Sequence, residues 1–186
     1  MKRRLKINGF IVFLAVLAAI IFPRIFFRHD SIMLADEMAE ILGVAFVLLG
    51  QVLRASARGY KSEHSQEGGK LIYAGPYSLI RNPMYLGILL IGTGVVLVLF
   101  NWVAAAIFLL IFTARYIPLI FKEEKKLESL FPRDYQEYRR TVPRVLPSPA
   151  ALLKRDIAEY LPLKLIWLKK ELGSILAVLL ITFLIE

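Results

Sequence analysis

The sequence predicts an all-α fold: a polytopic bundle of four to five membrane-crossing helices with its polar segments gathered on the cytoplasmic side. Three observations predict it. Of 186 residues, 58% are hydrophobic and 21% charged, where a soluble domain averages roughly 45–50% and about 25%. Several apolar runs approach the ~20 residues that cross a bilayer. Basic residues are also unevenly spread: four precede residue 7, five lie between 54 and 84, and twelve between 122 and 171, so 21 of 24 share one side if the N-terminus is inside. Basic residues stay on the cytoplasmic side of membrane proteins, so this asymmetry accounts for the net charge of +9 without a nucleic-acid partner.

The first apolar run, about residues 7–27, follows Lys2, Arg3, Arg4 and Lys6. It ends in Phe22-Pro23-Arg24-Ile25-Phe26-Phe27 without a small-residue cleavage site, so it is expected to be a retained helix rather than a signal peptide. The second span is expected over 38–57, with Gln51, Arg54 and Ser56 towards its C-terminal end. Residues 58–82 read as a polar segment in which Gly68-Gly69 and Gly75-Pro76 mark turns. Spans three (85–100) and four (102–121) are separated clearly by Asn101 alone, which predicts a tight antiparallel hairpin with Trp102 at a membrane interface. Prolines 132, 143, 147 and 149 break up the polar stretch 122–149. Residues 150–170 mix Leu and Ile with five basic residues, the pattern of an interfacial amphipathic helix, interrupted near Pro162. A short apolar helix is expected over 172–185. The expected organisation is therefore a membrane core over 1–149 and an appended amphipathic and hydrophobic unit over 150–186.

With no cysteine, disulfides, thiolate metal sites and cysteine nucleophiles are excluded. With two histidines, His29 and His64, so is a multi-histidine metal site, and no metal is expected. Three features stand out from a plain bundle. Gly75-Pro76-Tyr77-Ser78-Leu79-Ile80-Arg81-Asn82-Pro83-Met84-Tyr85-Leu86-Gly87 sits at the entry to span three. Asn82 can cap that helix and Pro83 suits its first position, and a helix N-terminus also offers free N–H groups to an anion. Glu123-Glu124 sits at the exit of span four, where two acids at a helix C-terminus are unfavourable unless the helix continues or a cation is bound. Arg115 shares a helix face with Leu119 and Glu123 and is costly in a bilayer, which marks it as a functional candidate. Since spans three and four form a hairpin, Tyr77, Arg81, Asn82 and Tyr85 should lie near Glu123 and Glu124. Anion binders, aromatic faces and carboxylates together suit a cofactor that carries a cation, an anion and a flat ring.

The order Gly-Pro-Tyr-x-x-x-Arg-Asn-Pro-x-Tyr-x-Gly (75–87), a hairpin, Glu-Glu-x-x-Leu-x-x-x-Phe-x-x-x-Tyr-x-x-Tyr (123–138) and Val142-Pro143-Arg144-x-x-Pro147 resembles the integral-membrane methyltransferases. These include isoprenylcysteine carboxyl methyltransferases and phospholipid N-methyltransferases. The resemblance covers about residues 38–148. It implies S-adenosyl-L-methionine as methyl donor, bound at the cytoplasmic face, and a membrane lipid or lipidated small molecule as acceptor. It also implies that Gly69, Lys70, Leu71 and Ile72 wrap the cofactor, that Tyr77, Arg81, Asn82, Pro83 and Tyr85 form the core of its site, and that Glu123 binds it. Arg115, Glu124 and Arg144 are the catalytic candidates. Two departures are visible: the family often has His at the positions of Asn82 and Gly69, and prenylcysteine enzymes carry an arginine where Leu119 stands. The second predicts poor use of a carboxylate acceptor and better use of another lipid-soluble nucleophile, such as an amine headgroup. Two rival readings are an NADPH-dependent membrane reductase and a non-enzymatic membrane scaffold.

Overall fold

The computed structural model describes residues 34–65, 69–148 and 157–169, together with the isolated positions Gly173 and Leu176. The expected span over 7–27 lies outside these residues, as does that over 172–185 apart from those two positions. The described part is helical, with no strand among the described residues: α1 (Leu34–His64), α2 (Pro76–Leu79), α3 (Pro83–Leu99), α4 (Trp102–Leu130), α5 (Pro132–Thr141) and α6 (Ile157–Tyr160).

Two of these helices, over Glu37–His64 and Trp102–Leu130, are long and apolar enough to cross a bilayer, and Pro83–Leu99 is a shorter apolar helix. The expected second and fourth spans are both embedded in longer helices. Residues 58–64, expected as part of a polar segment, continue α1. Residues 122–130 continue α4, so Glu123-Glu124 lies inside a helix rather than at its end, and the macrodipole objection to two acids disappears. Neither extension contains a proline, Gly59 is a lone glycine that the helix tolerates, and the Lys/Glu-rich run 122–128 consists of good helix formers. Pro118 removes one N–H from the α4 ladder without ending the helix.

The hairpin between α3 and α4 is as tight as expected. Asn101 closes it by accepting from the backbone N–H of Val103 and Ala104, both at 3.1 Å. Asn82 behaves differently from expectation. It precedes α3, and Pro83 occupies the first helical position, but the Asn82 side chain makes no cap. Its amide is spent elsewhere.

α1 and α3 run antiparallel along a seam of facing glycines. A Cβ on Gly43 would approach the Gly94 carbonyl to 2.8 Å, and one on Gly50 the Gly87 carbonyl to 2.7 Å. The backbones touch because neither partner has a side chain there, as at other close helix contacts in membranes. Gly94 is thus a packing residue, while neighbouring Gly92 receives the ring of Phe108 from α4. At the polar end, Leu53, Leu79, Ile80, Leu86 and Tyr160 form one buried cluster, and Leu71, Tyr135, Tyr138 and Val142 form another. The chain breaks at 161–164 between two helical pieces, α6 and 165–169, matching the interruption expected near Pro162.

Candidate functional site

Residues 71–73 carry no regular secondary structure and lead into α2 through Gly75, whose φ of +59° favours glycine. A side chain there would also meet the Tyr60 ring at 2.9 Å. Ser78 closes the turn, its backbone N–H and hydroxyl both donating to the Gly75 carbonyl. Tyr77 is thereby aimed across the end of α1, and its hydroxyl donates to the Ala57 carbonyl at 3.3 Å. The Tyr77 carbonyl in turn accepts from the Tyr138 hydroxyl at 2.7 Å. Burial, then the Glu123 charge, pushes the Tyr77 phenol above its ordinary range; burial does the same first for Tyr138. Both act as neutral hydrogen-bonding groups at physiological pH.

The two adjacent glutamates have unlike surroundings. Glu124 is buried. Its Oε1 accepts from Asn82 Nδ2 at 3.1 Å and lies 3.4 Å from an Arg81 guanidinium nitrogen. Arg144 completes the clasp, with Nε 3.1 Å and a terminal nitrogen 3.0 Å from Oε2. Asn82 also donates to the Arg144 carbonyl at 3.1 Å, the Arg81 backbone N–H donates to the Pro143 carbonyl at 2.8 Å, and the Arg144 guanidinium lies 4.2 Å over the Phe121 ring. These contacts tie the start of α3, the middle of α4 and the segment after α5 into one node. Glu124 and Arg144, both expected as catalytic candidates, are paired with each other. Glu123 is exposed and accepts from the Tyr85 hydroxyl at 2.7 Å.

Between these parts lies an open cavity of about 260 Å³. Lys70, Leu71, Ile72, Tyr77, Arg81 and Glu123, all expected at a cofactor site, line it together. Asn82 and Pro83 stand behind it, buried, and Tyr85 reaches it through Glu123. Gly69 is exposed and is not among its lining residues. Arg115 is half-buried two turns before Glu123, within electrostatic reach of Tyr85 but off the cavity wall. The residues not expected from sequence are Lys61 from α1, Ser65 just past its end, Lys126, Leu127 and Leu130 from α4, and Tyr138 from α5. Helical spacing carried the signal: 123, 126, 127 and 130 share a face once α4 continues, as do 61 and 65 once α1 does.

The lining fits a ligand with an acid, a cation and a flat apolar part. Lysines and Arg81 suit a carboxylate, Glu123 suits a cation or hydroxyl, and Leu71, Ile72, Leu127 and Leu130 suit a ring. Arg81 offers a further sign: its side chain is 8% exposed and its Nε is buried without a partner. A buried guanidinium donor left unpaired is costly, and a bound acceptor group relieves it.

The sequence profile described as "Phospholipid methyltransferase" matches residues 38–134. The chain belongs to the phospholipid methyltransferase family. The matched stretch contains the cavity lining except Tyr138. Similar curated proteins include the protein-S-isoprenylcysteine O-methyltransferase of Saccharomyces cerevisiae, 30% identical over 149 residues, covering 76% of this chain and 62% of that one. Protein-S-isoprenylcysteine O-methyltransferase B of Arabidopsis thaliana is 31% identical over 113 residues, covering 56% and 57%. The Schizosaccharomyces pombe protein-S-isoprenylcysteine O-methyltransferase is 31% identical over 112 residues, covering 56% and 48%. The chain thus spans about half to three fifths of the length of these relatives. No solved structure matches it.

Proposed function

We propose that this chain is an integral-membrane methyltransferase that uses S-adenosyl-L-methionine and acts on a lipidic acceptor in the manner of isoprenylcysteine carboxyl methyltransferases. The cavity carries the proposal: residues 70–72, Tyr77, Arg81 and Glu123 converge on one space at the polar end of two long apolar helices. Family membership and the names of the relatives support methyl transfer over the reductase and scaffold readings. The one-sided distribution of basic residues supports a cytoplasmic N-terminus and donor site.

S-adenosyl-L-methionine supplies an electrophilic methyl group on a sulfonium. Around it, Arg81, Lys61, Lys70 and Lys126 would hold the carboxylate, and the apolar lining would take the ring. Methyl transfer is an in-line displacement, so positioning does most of the work. Glu123, exposed at the cavity and held by Tyr85, is the residue able to take a proton from an amine acceptor. Glu124 has its oxygens occupied by two arginines and an asparagine, and it acts as a strut that fixes Arg81, Asn82 and Arg144.

Methylation of a phospholipid amine headgroup is the second reading. Leu119 favours it, since the arginine that prenylcysteine enzymes carry there is missing. A site built round a buried arginine discriminates strongly for its anion. The experiment is methyl transfer from labelled S-adenosyl-L-methionine to farnesylcysteine and to phosphatidylethanolamine, with the wild type and Leu119→Arg. Leu119→Arg should raise farnesylcysteine turnover. Efficient farnesylcysteine methylation by the wild type, lost in Arg115→Ala, would assign the acceptor role to Arg115 and reject the amine reading.

A further inference from the structure

Residues 157–169 contribute nothing to the cavity lining, yet they touch both walls that do. On α1, the Ser56 hydroxyl donates to the Pro162 carbonyl at 2.8 Å. Glu63 is gripped twice: Oε1 accepts from Trp167 Nε1 at 2.8 Å and Oε2 from Lys164 Nζ at 2.6 Å. Lys164 Nζ also lies 5.2 Å from the Trp167 ring centre. Trp167 is 2% exposed, and its ring fills the space that a Cβ on Gly59 would need. On the other wall, Tyr160 is buried against Leu79 and Ile80, between Tyr77 and Arg81 in sequence.

Ser56, Gly59 and Glu63 share one face of α1. At about 100° per residue, Ala57, Lys61 and Ser65 fall on the opposite face. Ala57 accepts the Tyr77 hydroxyl, and Lys61 and Ser65 line the cavity. The last turns of α1 are therefore clamped between the cavity and the C-terminal segment. A helix end is where local fraying begins, because its last carbonyls lack helical partners.

We propose that residues 157–169 are a brace of the methyl-donor site. Gly59, Glu63 and Trp167 are its positioning residues: they hold the end of α1 so that Lys61 and Ser65 stay at their distance from Tyr77 and Arg81. The brace rests on the donor-site reading above. It affects donor binding more than the chemical step, because it touches no group near the reacting methyl.

The full chain in lipid nanodiscs tests this. Gly59→Ala is the sharpest variant, since alanine is the better helix former and yet evicts the indole. Gly59→Ala and Trp167→Ala should each raise the KM for S-adenosyl-L-methionine about tenfold with kcat nearly unchanged, and the double variant should be no worse than either alone. Donor-independent evidence comes from cysteine chemistry, because the chain has none of its own. Ser65→Cys should react with a maleimide about tenfold faster in either background than in the otherwise wild-type chain. Unchanged maleimide rates with unchanged KM in folded variants would overturn the brace, as would a loss of kcat at constant KM. If the wild type binds no S-adenosyl-L-methionine, the donor reading fails by itself, and the maleimide rates alone decide the brace.

Discussion

The α1–α3 seam and the clasp around Glu124 hold neighbouring elements together by opposite means. In the seam, glycine faces glycine and backbone meets backbone, with Gly43 against Gly94 and Gly50 against Gly87. In the clasp, one buried carboxylate gathers two arginines and an asparagine from distant parts of the chain. The solvents explain the difference. Lipid tails are as apolar as leucine, so helices gain little there by burying large side chains and associate through close approach. Near water, burial is rewarded, but a charge taken out of water must be paired. The seam therefore sets the fold, the clasp sets the geometry of the site, and each should fail in its own way.

The largest effect expected is all-or-none. Ser62 and Ser129 are exposed on the two helix extensions. Single cysteines at these positions should label from the cytoplasmic side only. Labelling of either from the exterior would break the division between apolar span and polar end, and with it the proposed orientation. Next comes Glu124→Ala, which leaves Arg81 and Arg144 without their shared counter-charge. Breaking a buried pair in this way costs about 3–5 kcal/mol, so chemical denaturation in detergent should find this variant markedly destabilised. Near-wild-type stability would mean that the clasp is decorative.

Glu123→Gln should do the reverse: the fold survives and donor binding weakens. Loss of a charged hydrogen bond is worth about 1.5–3 kcal/mol, roughly ten- to a hundredfold in affinity by calorimetry. Unchanged affinity would remove Glu123 from the donor site. Weakened binding with the fold intact would separate two neighbouring acids by function through one amide and two guanidinium groups, none of which is adjacent to them in sequence.

That separation was only partly legible in the sequence. Hydropathy and the lone Asn101 were enough to find the α3–α4 hairpin, because apolar length and a cap are local properties. The motif residues 70–72, Tyr77, Arg81 and Glu123 could be assigned to one site, because the hairpin forces its ends together. The roles of Glu123 and Glu124 could not be told apart, since a turn of 100° per residue decides which one meets Arg144 and which meets Tyr85. The continuation of α1 and α4 is not legible from composition, because a polar stretch looks the same whether the helix goes on or stops. Polarity marks the end of the membrane, whereas helices end where caps and breakers stand, as α4 does just before Pro132. Asn82 was expected to cap α3 because local chemistry allows it; a buried carboxylate from α4 outcompetes the cap.

The smallest expected effect tests the seam. Gly94→Ala adds one methyl where the Gly43 carbonyl and the Val47 backbone already sit, Val47 N at 2.8 Å from the new Cβ. Backbone cannot yield as a side-chain tip can, so α1 and α3 must separate slightly along the contact. Overpacking of this kind costs about 1–3 kcal/mol. Alanine's better helix propensity returns up to about 1 kcal/mol. The net should be a modest destabilisation, with donor affinity per folded molecule unchanged, because no cavity residue lies on that stretch of α3. Gly173 supplies the control: nothing lies within 4 Å of a Cβ there, so Gly173→Ala should be neutral or stabilising. If Gly94→Ala instead weakens donor binding without loss of stability, the seam and the site are mechanically coupled, and the contrast between them dissolves.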